Sequence, residues 1–402
     1  MDATFFQLNR SAVMNAVGPY VIVVSGHTSL QRSNDAAYTF EQESNFWWLT
    51  GINNPDWQLI IDGETQKSWL VRPHTSETQR IFDGSLSDDE ALVISGVDGI
   101  LEQKQATALL IQLAEKHSKV YTIAKHPHAA HFDFIENPAQ QNLRQTLTHI
   151  FTKVVDCRQE ISRLRAIKQT QELAVIRESV SVTADAFNRV KKLLPTFHHE
   201  YDMQAEFDYI FRRNLGSTHA YDPIVATGKN ACTLHYSRNI SRLDATKLVL
   251  VDVGIRYKGY AADITRTYAV GKPTKRQREI HKAVQDAQRN IIELIRPGVS
   301  LKRYQIDSDE IMKDALQKVG LLKDRHDAKT FRKYFPHAIS HGLGLDVHES
   351  LGGYSEFMPG MVLTVEPGIY IPEEEIGVRI EDDILVTETG NENLSAMLST
   401  DL

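Results

Sequence analysis

An α/β layer followed by a larger α+β half is the fold the sequence predicts, on three observations. The first part of the chain alternates strand-like and helix-like stretches. A long helical stretch then intervenes, and the C-terminal half returns to strands, several of them interrupted by single carboxylates. In residues 1–156 the runs PYVIVVSG, DWQLIIDG, KSWLVRP and KVYTIA predict strands, each running into a Gly, Pro or polar break. Ala106–Lys116 (ATALLIQLAEK) predicts a helix between them. From Asp156 to Pro195 good helix formers run without a breaker, and Pro195 ends the run, so one long helix is expected there. The domain boundary falls at its start, giving an N-terminal α/β domain over 1–156 and a second domain over 157–402.

Lys275–Arg296 predicts another helix. Its apolar positions Ile280, Val284, Ala287, Ile291, Leu294 and Ile295 follow helical spacing, and Pro297-Gly298 stops it. KLVLVDVG, YAADITRTYAV, MVLTVEPGIYI and GVRIEDDILVTE predict strands. Helices packed on one curved, mostly antiparallel sheet, with carboxylates on the strands, is the expected architecture of this half.

Composition excludes several classes. The 402 residues are 42% hydrophobic and 24% charged, with a formal net charge of −7. That balance gives no reason to expect nucleic acid or an acidic membrane as partner. Two cysteines far apart, Cys157 and Cys232, suit a reduced, cytoplasmic protein. The opening MDATFFQLNR lacks the charged and apolar regions of a signal peptide, and the apolar run Val21–Val24 is far too short to cross a bilayer.

Five residues carry the chemistry: Asp252, Asp263, His341, Glu366 and Glu381, in VDVG, ADITRTY, ISHGLGLDVHES, TVEPGIY and RIEDD. Four carboxylates and one imidazole exceed what one divalent ion needs. Two ions about 3.5–4 Å apart, sharing carboxylates and a hydroxide, use all five and split bonds with an activated water. With Tyr257 and Lys258 as the tip of a tight turn, Asp252 lies directly opposite Asp263. Opposed residues have Cβ atoms about 4.5–5.5 Å apart on one face, where like charges repel unless a cation lies between them. Glu366 and Glu381 repeat the pattern on a second hairpin with Pro372–Gly377 as its connector, each interrupting an apolar strand. The bland alternatives are exposed strand-end aspartates and a salt bridge from Arg379 to a glutamate. His337, His341 and His348 recur at intervals of four and seven, and the two glycines beside His341 are expected to keep the wall low so that backbone and substrate can come close.

These segments, with LHYS around His235 and PGMVLTVEPGIY, resemble the proline-specific metallopeptidases of the pita-bread fold, the aminopeptidase P and prolidase family. RSNDAAYTFEQESNFWWLTG (Arg32–Gly51) is similar to the N-terminal half of aminopeptidase P. The resemblance implies a C-terminal pita-bread domain and hydrolysis of the N-terminal Xaa-Pro bond, with a dipeptidase as the close alternative. It implies two divalent ions, manganese expected and cobalt or zinc possible replacements. Asp252 would bind one ion, Asp263 and Glu381 would bridge both, and His341 and Glu366 would complete the other, with Glu366 as general base. His235 and His348 would stabilise the oxyanion and orient the peptide, and His337 would shape the proline pocket. Arg379 and Asp35 would form a link behind Glu381, with Tyr221 and Tyr370 as supporting hydrogen-bond donors.

The N-terminal domain would serve assembly into a homodimer or homotetramer and roof the pocket; the cluster Phe46-Trp47-Trp48 in it is expected to be core. Thr39–Gln42 and Arg80–Gly84 depart from the family's pattern, which bears on peptide length. An inactive pita-bread binding module, a methionine aminopeptidase and a creatinase-like enzyme are all disfavoured by the complete ligand set and the large N-terminal domain.

Overall fold

The computed structural model describes residues 1–124, 135–214 and 217–402. The chain divides into two compact units, Met1–Leu164 and Arg165–Leu402.

The first unit is built on a six-stranded mixed sheet. Its order is Gly99–Leu101, Lys67–Val71, Gln58–Asp62, Val21–Ser25, Lys119–Thr122 and Lys153–Asp156. The three middle strands from Lys67 to Ser25 pair antiparallel, and the outer pairings are parallel. Val21–Ser25 is buried along its whole length, which is why it reads as an unbroken apolar run rather than an alternation. The helices Gln103–Lys116 and Pro138–Ile150 lay Ala106, Leu110, Leu113, Leu143 and Leu147 on Val21, Val23, Ile60 and Val120. Phe46 and Trp48 are buried, and Trp47 meets the Phe6 ring edge-on at 5.7 Å.

From Asp156 onward the chain departs from expectation in three places. Asp156–Pro195 is not one helix: Arg158–Arg165 and Thr170–Leu193 are separate. Gln169 caps the second helix, its N–H donating to Glu172 Oε2 at 2.8 Å, and the Lys168 N–H leaves the helical ladder for Gly360 O at 2.9 Å. The helix predicted to Arg296 ends at Ile292, after which Leu294 and Ile295 bond three residues back in a tightened turn. Its stripe Ile280, Val284, Ala287 and Ile291 packs in the core that holds Met312 and Leu316 of the neighbouring helix Leu301–Lys318.

The strands, finally, do not form one sheet. Their pairings are antiparallel, but they divide into sheets of two and three strands. Two long hairpins each pass through two of these sheets. The first runs Leu248–Val253, Ile255–Tyr257, Tyr260–Ala261, Ile264–Ala269; the second runs Val362–Val365, Gly368–Ile371, Ile376–Arg379, Asp382–Val386. Each hairpin kinks where it changes sheet, and the acidic residues sit at or beside the kinks. At Gly254 the two arms of the first hairpin press together so closely that a Cβ would lie 1.7 Å from Ala262 O. Among the described residues no helix is long and apolar enough to cross a membrane.

Candidate metal centre

The register of the first hairpin is displaced by two residues from the expected one. Asp252 faces Thr265 rather than Asp263, and Tyr257 pairs with Tyr260. The tip is Lys258-Gly259, with φ of 47° and 86°, and a two-residue turn with positive φ at both positions matches the twist of the strands it joins. The Lys-Gly dipeptide was the available signal. A slip of two keeps every side chain on its face, whereas a slip of one would have turned the aspartates apart. Asp252 and Asp263 therefore still converge, diagonally: the Tyr221 hydroxyl lies 2.6 Å from Asp252 Oδ1 and 2.6 Å from Asp263 Oδ1. One phenolic proton thus stands between two carboxylates.

In the second hairpin Val365 pairs with Asp382 and Gly368 with Arg379, so one register spans the kink and sets Glu366 against Glu381. Glu381 also ties the hairpins together. Its N–H donates to Thr265 O at 3.0 Å, and its Oε2 accepts from the Thr265 hydroxyl at 2.7 Å. His341 reaches the same place because its segment runs beside the strand Val362–Val365: Thr364 N–H donates to His341 O at 2.9 Å, and Glu366 N–H to Ile339 O at 3.0 Å.

These elements bring a histidine and carboxylates into one buried spot. Ligand atoms of Asp263, His341 and Glu381 all lie within 4.8 Å of one another. His341 Nε2 is 3.5 Å from Asp263 Oδ2 and 3.6 Å from Glu366 Oε1. His341 Nδ1 faces Gly342 O at 3.0 Å, and a carbonyl only accepts, so the proton sits on Nδ1 and the Nε2 lone pair points at the carboxylates. Burial first, then the Asp252 charge, holds Asp263 well above the usual carboxylate range, and burial followed by the Asp263 charge does the same to Glu381. Glu366 is pushed to about 8 by burial, the Arg379 guanidinium opposing and Asp252 adding. Burial lowers His341 to about 4. Such a cluster either takes up protons or takes up cations. Hard oxygen donors with one imidazole fit a divalent ion of the manganese, cobalt or zinc kind.

Behind the cluster, Arg379 donates through Nη2 to Asp252 Oδ2 at 2.5 Å, through Nη1 to the Tyr370 oxygen at 2.8 Å, and through Nε to Thr265 Oγ1 at 3.2 Å. His337 faces Ala338 O with Nδ1 at 2.7 Å, so its Nε2 accepts from the Tyr370 hydroxyl at 2.8 Å. Its Nδ1 is also 3.4 Å from Glu366 Oε2. Burial first, then the Arg379 charge, lowers His337 to about 3, with His235 contributing. The His348 ring lies 4.2 Å from that of His341, and both His348 and His235 are exposed. Asp35 is exposed on a short hairpin of the N-terminal unit, while Arg379 is engaged by Asp252, Tyr370 and Thr265 within its own.

Sequence reasoning missed three supporting residues. Thr265 links Arg379 to Glu381, Thr364 accepts the His341 N–H at 3.2 Å, and buried Asp383 accepts the Asp263 N–H at 3.1 Å. A threonine in a strand reads as a β-former, so its hydroxyl gives no signal; Asp383 stood in plain view in RIEDD. The glycines beside His341 admit a close approach, as expected, and what approaches is Glu349. A Cβ on Gly342 would lie 2.6 Å from Glu349 O and one on Gly344 would lie 2.1 Å from Glu349 Oε2, so they make room for Glu349.

A buried acidic cluster on two kinked hairpins is the frame of a divalent-metal hydrolase. The chain belongs to Metallopeptidase family M24, which it matches over residues 174–388, and its match to the aminopeptidase P N-terminal domain over residues 6–121 puts it in the proline-specific, pita-bread branch. It is 37% identical to the Xaa-Pro aminopeptidase of Escherichia coli (strain K12), over 97% of this chain and 94% of that protein. Among solved structures it is similar to zinc-substituted E. coli aminopeptidase P in complex with product, with a TM-score of 0.86 and 33% identity over 100% of this chain and 96% of that one. Proline aminopeptidase P II from Yersinia pestis gives a TM-score of 0.85 at 33% identity, over 100% of this chain and 98% of that one.

Proposed function

We infer that this chain is an Xaa-Pro aminopeptidase, a two-metal exopeptidase that releases the first residue from peptides with proline second. One observation carries the reading: an oxygen-rich, desolvated cluster with one imidazole, in a chain whose likeness to Xaa-Pro aminopeptidases runs through both halves. An Xaa-Pro amide is tertiary and has no N–H for an enzyme to grip. Recognition must act on the carbonyl and the free amine instead.

Asp252, Asp263, His341, Glu366 and Glu381 would hold the ions. Bound there, two divalent ions supply a polarised carbonyl and a water acidic enough to ionise near neutral pH. The protein's own groups do the rest. Glu366 takes the proton of the attacking water on a carboxylate oxygen and returns it to the departing proline nitrogen. His341 Nε2 and His337 Nδ1 lie 3.6 and 3.4 Å from its two oxygens, so both rings flank the carboxylate. His348 and His235 donate to the oxyanion and orient the peptide. Arg379 and Tyr370 hold Asp252 and His337 in place, and Tyr221 supports both aspartates. Manganese is the expected metal, with cobalt or zinc as replacements. The reading extends to a cytoplasmic homodimer or homotetramer whose N-terminal domain, residues 1–156, serves assembly rather than chemistry.

The test is hydrolysis by the manganese-loaded protein of a Xaa-Pro dipeptide beside a tripeptide with proline second. Cleavage of the tripeptide is expected. Cleavage of the dipeptide alone makes the enzyme a prolidase, and cleavage of neither overturns the proline reading.

A further inference from the structure

We infer that Glu349, gripped by Arg165 and Lys168, is a positioning residue that fixes His348 for the reaction proposed above; the inference rests on that reading. The loop from His341 to Ser350 closes on itself. Glu349 N–H donates to Gly342 O at 2.8 Å, and the two residues form an antiparallel bridge. His341 and His348 thus stand at the two feet of a closed loop, which sets their rings 4.2 Å apart.

The Glu349 side chain turns inward. Its Oε1 accepts from Arg165 Nε at 3.0 Å and from Arg165 Nη2, and its Oε2 accepts from Lys168 Nζ. All three residues are buried. Arg165 Nη2 also reaches Asp346 Oδ2 at 2.8 Å, and Arg256 Nη1 donates to Leu345 O at 2.7 Å, so the loop is held at 345, 346 and 349. Lys168 is itself fixed, donating to Arg165 O at 2.9 Å.

A buried ion pair contributes little net stability over apolar packing of the same volume, but it fixes geometry, because breaking it strands a charge. The glycines show how tight the fit is. Gly344 leaves the space that the Glu349 carboxylate fills, so neither carboxylate nor loop can shift alone. His348 precedes Glu349 directly and remains exposed while Glu349 is buried. The depth to which Arg165 and Lys168 draw Glu349 therefore sets the place of the His348 ring. This also gives the break after Arg165 a purpose, since a continuous helix would need the Lys168 N–H that Gly360 O now accepts.

The experiment is a double-mutant cycle on the manganese-loaded, full-length protein: wild type, Glu349→Gln, His348→Ala and the double variant. The readouts are kcat and KM on a tripeptide with proline second, metal content and thermal midpoint. Glu349→Gln is expected to lower kcat about 10- to 100-fold, with metal content unchanged. In the His348→Ala background the same change should cost less than about twofold, because what Glu349 positions is gone. Losses that simply multiply would mark a merely structural role and overturn the inference, as would an active His348→Ala enzyme. A wild type that cleaves no such peptide would defeat the functional reading itself, a separate outcome. Should Glu349→Gln not fold, Gly344→Ala displaces the same carboxylate and enters the same cycle with the same expected coupling.

Discussion

Two clusters of carboxylate and histidine occur among the described residues, one in each unit, and both meet the spacing of a metal site. Ligand atoms of Asp62, Glu64 and His117 lie within 4.8 Å of one another, as do those of Asp263, His341 and Glu381. The surroundings differ. The Glu64 side chain is 54% exposed. Asp62 accepts the Glu64 N–H at 3.0 Å and the Thr65 hydroxyl at 2.6 Å, an ordinary turn. Asp62 is thus satisfied within its own turn, and the Glu64 charge stays in contact with solvent. In the C-terminal unit Asp263 and Glu381 are buried together, and a Glu366 side chain only 16% exposed joins them. Spacing alone therefore selects poorly. Like charges removed from water without enough cations is the sharper criterion, because that arrangement costs several kcal/mol until something positive arrives.

The largest expected effect comes from removing a carboxylate proposed to hold the ions. Glu381→Gln should lower kcat/KM roughly a thousandfold or more, with at least one ion lost by elemental analysis. Retention of both ions and of activity would break the comparison.

Metal removal should expose the charge problem directly. Glu366, raised in the folded state to about 8, favours folding while protonated in both states and loses that contribution as pH rises from its ordinary value through about 8. His341 and His337, lowered to about 4 and about 3, act oppositely: their contribution is complete above the ordinary histidine range and lost as pH falls through those values. Above about pH 6.5 the histidines are silent. Between there and pH 8 the metal-free protein should lose at least about 2 kcal/mol of stability by denaturant titration, Glu366 alone accounting for that and the raised Asp263 and Glu381 acting in the same direction. The metal-loaded protein should not, since a bound dication favours the ionised carboxylate. Equal slopes with and without metal would contradict the account.

Tyr370→Phe removes the oxygen that Arg379 and His337 share. About a tenfold lower kcat and a loss of roughly 1–2 kcal/mol of stability are expected. His117→Ala is the control from the other cluster. Metal content and kcat should stay within about twofold of wild type, and loss of an ion would remove the distinction drawn here.

How much of this was legible in the chain follows the same division. The four candidate carboxylates stood out because each is a charge in an apolar stretch, and His341 because it recurs with His337 and His348 at intervals of four and seven. The helices Gln103–Lys116 and Lys275–Ile292 could be read from their stripes. The turn at Lys258-Gly259 was legible and misjudged by two residues, harmlessly, since the side-chain period of a strand is two. The hydroxyls of Thr265 and Thr364 were not legible, because their partners come from segments distant in the chain. Nor were the purposes of Gly342 and Gly344, or the break after Arg165. Those depend on Glu349 meeting Arg165 and Lys168 across more than 180 residues of chain, and no local pattern records such a contact.

The most direct test of the central claim is metal stoichiometry read together with activity. Wild type and Asp263→Asn would each be stripped, reloaded with manganese and assayed on a tripeptide with proline second. The account predicts two ions per wild-type chain, cleavage of the Xaa-Pro bond, and loss of both an ion and the activity in the variant. A wild type that cleaves the peptide fully after stripping, with no metal bound, would contradict it.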